Sequence, residues 1–177
     1  MDSFASELYS RIENASEKVV LIGWSLGASI SILTGLKRPK NLERLVLIGF
    51  SPKFKDKKLG HNPAMIKAFM LALKMDFPDT VYNFRKTAAG DYFREIPLPE
   101  KEGATRILRE FINLDLTDRL HMIDIPVLLI HGREDRIINP EGSIFAKDSI
   151  KNSELILVDS HHAPFLDYPE VLKDSLL

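Results

Sequence analysis

The chain has 177 residues, 45% of them apolar and 28% charged, with a net charge of −1. That is enough for one domain with a real core, and it gives no general case for nucleic acid or a membrane surface as partner. There are no cysteines, which excludes disulfides and cysteine-based metal sites.

Asp2 or Ser3 can cap a first helix running through about Asn14, with Phe4, Leu8 and Ile12 on one face. The opening stretch MDSFASELYSRIEN is acidic and polar, unlike a secretory signal. No apolar run reaches the ~18 residues of a membrane span, so the expected setting is cytoplasmic. Val19 to Ile22 is a continuous apolar run that predicts a strand buried on both faces. Leu26, Ile30, Leu33 and Leu36 then recur at helical spacing, and the helix must end before Pro39, where Lys37 and Arg38 suit its negative end. Ser25 therefore sits at a sharp strand-to-helix turn. Gly23 and Gly27 flank it at the two positions expected to tolerate only small residues, giving the G-x-S-x-G arrangement of a nucleophile elbow.

A second buried strand starts at Leu42 (LERLVLIGF), a third at Ile125 (IPVLLIHG) and a fourth at Glu154 (ELILVD). Helices are expected over Pro140–Ile150 and from Pro169 to the C-terminus. This β-α-β, insertion, β-α-β-α order implies an α/β fold with a mostly parallel sheet and helices on both faces. The boundaries are 1–52 for a first core segment, 53–124 for a helical cap, and 125–177 for a second core segment. Within the insertion, Phe69, Met70, Leu71, Leu73, Met75, Phe77, Tyr82 and Phe84 form either ordinary helix-packing core or a lid over an apolar pocket. Residues 53–112 carry 12 Lys/Arg against 8 Asp/Glu, a net of +4, which leaves −5 on the rest of the chain. This asymmetry suggests an acidic partner for the cap.

A serine hydroxyl needs a histidine as base and a carboxylate to fix that histidine's tautomer. On a parallel sheet these groups come from loops at the carboxyl ends of strands. Glu134 and Asp135 follow the third strand, and His161 and His162 follow the fourth. The chain order serine, acid, histidine is the one expected on such a fold. His131 ends a strand and reads as a satisfied structural histidine; His61 and His121 have no evident partner.

GWSLG, HGREDRIINP and HHAPFLDYPE together resemble the α/β-hydrolase superfamily. The family's G-x-x-D falls on Asp135, one residue from Glu134. Its H-x-P falls on His162 and Pro164, and His161 stands where the family usually has a small residue. GWSLGA, LIGFSPKF and HAPFLDYPE are similar, more narrowly, to the pimeloyl-[acyl-carrier protein] methyl ester esterases of biotin synthesis. The resemblance implies an α/β-hydrolase-like C-terminal portion with an inserted helical cap. It implies a serine carboxylic-ester hydrolase with the triad Ser25, Asp135 and His162, acting on a small ester or one linked to acyl-carrier protein.

No cofactor or metal is called for. The Leu26 N–H would be one oxyanion donor. The family's second donor comes from a His-Gly loop that has no counterpart here: in family terms four strands and one helix are absent. The expectation is then a nucleophile strand at an exposed, apolar edge. Such a chain is a fragment, is completed by another chain or by a copy of itself, or is a non-catalytic binding module.

Overall fold

A computed structural model describes residues 1–175. Four strands, β1 (Val19–Trp24), β2 (Leu42–Ile48), β3 (Val127–Gly132) and β4 (Ser153–Val158), form one sheet in the order β1-β2-β3-β4, with every pair parallel. Ile48 pairs with both Trp24 and Ile130, and Gly132 pairs with Val158. All four carboxyl ends therefore lie at one end of the sheet. Among the described residues eight α-helices accompany it: α1 (Asp2–Glu13), α2 (Leu26–Gly35), α3 (Pro63–Met75), α4 (Phe77–Ala89), α5 (Lys101–Asn113), α6 (Glu141–Ser149), α7 (Pro164–Asp167) and α8 (Pro169–Ser175). The expected continuation of the last helix through residues 176 and 177 lies outside the described residues.

The two faces of the sheet are covered differently. Leu45, Leu47 and Leu129 point into the larger core with Ile32 and Leu33 of α2; Val46, Ile48, Leu128 and Ile130 point the other way, against Phe165, Val171 and Leu172. This alternation is the two-residue period of a strand. Full burial of each such side chain contributes about 1.5–3 kcal/mol. It explains why β2 and β3 read as unbroken apolar runs.

Two local expectations need correction. Position 1, not Asp2 or Ser3, caps α1, and it does so without a side-chain bond; the helix buries Ala5 and Ile12 while Phe4 faces out. β1 is not buried on both faces. It pairs on one side only, and Ile22 and Trp24 are 41% and 37% exposed, because an edge strand has a neighbour to cover it on only one side.

Between β2 and β3 the described residues form helices and turns and no strand. Each of the three α-helices there, α3, α4 and α5, begins at a capping side chain that accepts a backbone N–H: Asn62 from Ala64 (2.9 Å), Asp76 from Asp79 (3.1 Å), and Glu100 from Glu102 and Gly103 (both 2.6 Å). These caps satisfy N–H groups that have no partner within their own helix. Among the described residues no helix is long and apolar enough to cross a membrane.

Candidate active site

The hydrogen-bond ladder runs past the strand ends and fixes the loops that follow. Ser25 N–H donates to Ile48 O (2.8 Å), Gly49 N–H to Ile130 O (2.9 Å), and Arg133 N–H to Val158 O (2.8 Å). Each loop is thus stitched to the next strand, and the residues after β1, β3 and β4 gather at one end.

Ser25 caps α2 at φ 56° and ψ −122°, a left-handed conformation uncommon for a residue with a side chain. Crowding explains the glycine before it. A Cβ on Gly23 would lie 2.5 Å from Ser31 Oγ, 2.6 Å from Gly27 O and 2.7 Å from the Ala28 Cα. Gly27 differs from expectation: a Cβ there meets nothing within 4 Å, leaving aside its own helix backbone, so no steric demand for glycine is present. Leu26 opens α2, and an N–H in a first helical turn has no partner within the helix.

Asp135 is seated by three hydrogen bonds and the close approach of a second imidazole. Its Oδ1 accepts from the backbone N–H groups of Ile137 (2.8 Å) and Ile138 (2.9 Å). Its Oδ2 lies 2.7 Å from His162 Nδ1 and 3.1 Å from His131 Nε2. The three side chains are 0%, 2% and 0% exposed. Burial alone would raise the carboxyl's pKa; the hydrogen bonds and charges of His131 and His162 outweigh it and hold Asp135 well below the ordinary carboxylate range. His162 Nε2 is buried and has no hydrogen-bond partner in this structure, so no bond to Ser25 Oγ is made. Glu134 and His161, the neighbouring alternatives, stand apart: His161 Nδ1 is 3.9 Å from the Glu134 carboxylate and both side chains are exposed.

Trp24 and Gly49 lie against His162 and Ser143 lies against His131, and the sequence singles out none of the three for this purpose. Trp24 Nε1–H donates to His162 O (2.8 Å), and its ring centroid lies 5.3 Å from that of His162. Gly49 has φ +56°, and a Cβ on it would lie 3.3 Å from the imidazole. Ser143 of α6 anchors His131 from behind, with Oγ 2.7 Å from Nδ1. The one sequence signal is Gly49 within LIGF; nothing in the sequence marks Ser143.

Ser25 and Leu26 line a cavity of about 770 Å³ whose other walls include Phe69, Leu73, Phe77 and Phe84 from α3 and α4. These four belong to the apolar stripe of the insertion, Phe84 at the open side of the cavity and itself exposed; Leu71 and Met75 from the same stripe are exposed and do not line it. His61 also lines the cavity, its ring stacked on Phe54 at 6.0 Å; burial pushes its pKa below the ordinary imidazole value. Among the described residues no group of three His, Cys, Asp or Glu side chains converges as a metal site would need.

The sequence profile of the family described as serine aminopeptidase, S33 matches residues 1–163. A pimeloyl-[acyl-carrier protein] methyl ester esterase of Nitrosospira multiformis is 32% identical over 168 residues, 85% of this chain and 64% of that protein. One from Klebsiella pneumoniae is 29% identical, over 94% of this chain and 71% of that protein. The chain thus spans roughly two thirds of the length of these relatives, and less than that of the first. Among solved structures, a hydrolase from Oleispira antarctica superposes with a TM-score of 0.85 at 14% identity, covering 99% of this chain and 70% of that one. A bromoperoxidase from Bacillus anthracis gives 0.84 at 22% identity, covering 99% and 72%. At these identities the structural likeness speaks for the fold.

Proposed function

The chain belongs to the serine aminopeptidase, S33 family of α/β-hydrolases, and on that premise we propose that it is a serine hydrolase of carboxylic esters. Ser25 Oγ attacks the ester carbonyl while His162 Nε2 takes its proton. The tetrahedral oxyanion is met by Leu26 N–H at the positive end of α2. Its collapse expels the alcohol, which leaves with the proton from His162. Water then attacks the acyl-enzyme by the same proton route and releases the acid. Asp135 fixes the tautomer of His162 throughout.

One observation carries this reading: the 2.7 Å bond from His162 Nδ1 to Asp135 leaves the opposite ring nitrogen buried and unbonded. A histidine held by one nitrogen and free at the other is what a general base requires. The test is labelling by a fluorophosphonate. Ser25→Ala abolishes the label; a label that survives the change places the nucleophile elsewhere.

For the substrate we infer the methyl ester of an acyl chain carried on acyl-carrier protein, as the names of the relatives suggest. The apolar cavity beside Ser25 suits the chain. The basic excess of the cap points to Lys53, Lys55, Lys57, Lys58, Arg85 and Lys86 for recognition of the acidic carrier; of these, Lys53 is bound to Asp115 (2.7 Å) and Arg85 donates to the carbonyls of Ile96 (2.9 Å) and Pro97 (3.1 Å). Lys55, Lys57, Lys58 and Lys86 are exposed, and they are the charges to reverse. Their reversal weakens use of the carrier-linked ester and spares a small free ester; equal loss on both would mean the insertion had misfolded.

A second reading rests on the edge of β1, which pairs on one side only and exposes Ile22 and Trp24. There the chain takes up a further strand, from another chain or from a copy of itself. Chain 1–177 alone then self-associates and turns over slowly. A light-scattering monomer with turnover on the order of 10 per second overturns this.

A further inference from the structure

We propose that His131 is a positioning residue of the acid–base pair: its Nε2–H shares Asp135 Oδ2 with His162 and so limits how strongly that carboxylate holds a proton on His162. The inference rests on the reading of His162 as the base, and goes beyond it.

His131 Nε2 faces Ile138 O and Asp135 Oδ2, each at 3.1 Å. A carbonyl and a carboxylate only accept, so Nε2 carries a proton. On the other side of the ring, Nδ1 is 2.7 Å from Ser143 Oγ, which is itself 3.0 Å from Phe50 O. The ring is fully buried, and it is clamped between α6, the end of β2 and the acid loop.

Asp135 Oδ1 accepts from two backbone donors, and Oδ2 faces two imidazoles: it is bonded to His162 Nδ1 and lies 3.1 Å from His131 Nε2, whose N–H stands between it and Ile138 O. Electron density drawn toward His131 is withdrawn from the bond to His162. The other charged or titratable groups near the pair are His61, which feels the Asp135 charge, the exposed Arg136 on the cavity wall, Arg133 paired with Asp159, and the exposed Glu134 and His161. None of these contacts Asp135 Oδ2 as His131 does. A histidine kept only to fill the core has no need of the acid's catalytic oxygen.

The single tryptophan offers a readout that needs no turnover. Trp24 lies 5.3 Å from the His162 ring, and an imidazolium quenches indole emission where a neutral imidazole does not. Titrating Trp24 emission in the full 177-residue chain therefore follows the protonation of His162, and His162→Gln identifies the step by removing it.

In His131→Phe, which cannot donate, the midpoint moves to higher pH. In His131→Gln, whose amide can place an N–H near the same oxygen, it returns toward the native value. A midpoint that stays put or falls in His131→Phe, or moves as far in His131→Gln as in His131→Phe, overturns the proposal. Should His131→Phe fail to fold, nitrogen-15 NMR of the native histidines decides: a proton on His131 Nε2 supports the proposal, and a bare Nε2 ends it. Absence of fluorophosphonate labelling alongside the expected shift would sink the esterase reading and leave this one standing.

Discussion

Asp135–His162 and Glu134–His161 are two acid–histidine pairs on the same two loops, one residue apart. The first is 2.7 Å across with side chains 0% and 2% exposed; the second is 3.9 Å across with side chains 65% and 53% exposed. The residue chemistry is nearly the same. Backbone seating makes the difference: Asp135 turns inward and takes the N–H groups of Ile137 and Ile138, while Glu134 spends its own N–H on Ser160 O (3.0 Å) and leaves its carboxylate in solvent. Removing one partner of the buried pair costs far more than removing one of the exposed pair, because it strands an uncompensated charge or polar group away from water, whereas water screens the exposed pair almost completely.

The sharpest way to test that contrast is to neutralise each acid. Asp135→Asn slows ester turnover by about 10⁴, as loss of the orienting carboxylate does in a protease triad, measured as kcat on a small ester. The same change removes a pH-dependent part of the stability. A carboxyl depressed in the folded state contributes fully above its unfolded pKa of about 3.9 and loses that contribution as pH falls toward the folded value. The gap in melting temperature between native and Asp135→Asn chains is therefore widest near neutrality and closes in acid. A gap that widens in acid contradicts the seating described here.

The next largest effect acts on both pairs at once. Gly132 lies where the acid loop meets the histidine loop, and a Cβ on it would be 2.0 Å from His161 O and 2.3 Å from Ser160 O. Gly132→Ala wedges the loops apart and costs about 3 kcal/mol in urea unfolding. A change under about 0.5 kcal/mol would mean that the loops yield freely. Smallest are Glu134→Gln and His161→Gln, each within about 0.5 kcal/mol of native stability and with turnover nearly unchanged. If Glu134→Gln has the larger effect on turnover than Asp135→Asn, the roles of the two acids are reversed.

The periodicity of the sequence made the four strands, their parallel order and the helical insertion legible, because buried runs and amphipathic repeats are local signals. It also led to Asp135 and His162, though choosing them over Glu134 and His161 took a family spacing, since composition alone does not separate the pairs. What it missed depends on neighbours far along the chain. The apolar run of β1 by itself reads as buried on both faces, and only the family's strand order gave the exposed edge that the sheet has. The outward turn of Phe4 follows from how α1 sits on α2. His131 reads as a satisfied core histidine and does have the partners of one, yet one of those partners is the acid itself; that depends on Ser143, twelve residues on, in a helix with no distinctive pattern.

The strained turn at Ser25 has a consequence for how such chains change over time. A serine held at φ 56° carries a conformational penalty of about 1–3 kcal/mol that a glycine at the same place largely escapes. Ser25→Gly would therefore make a sturdier protein and, under the function proposed above, an inert one. Drift under selection for stability alone leads toward glycine at position 25, and only a continuing demand for chemistry keeps the hydroxyl there. A relative of this chain that has lost its activity should be recognisable by that single replacement before any other part of the fold has altered.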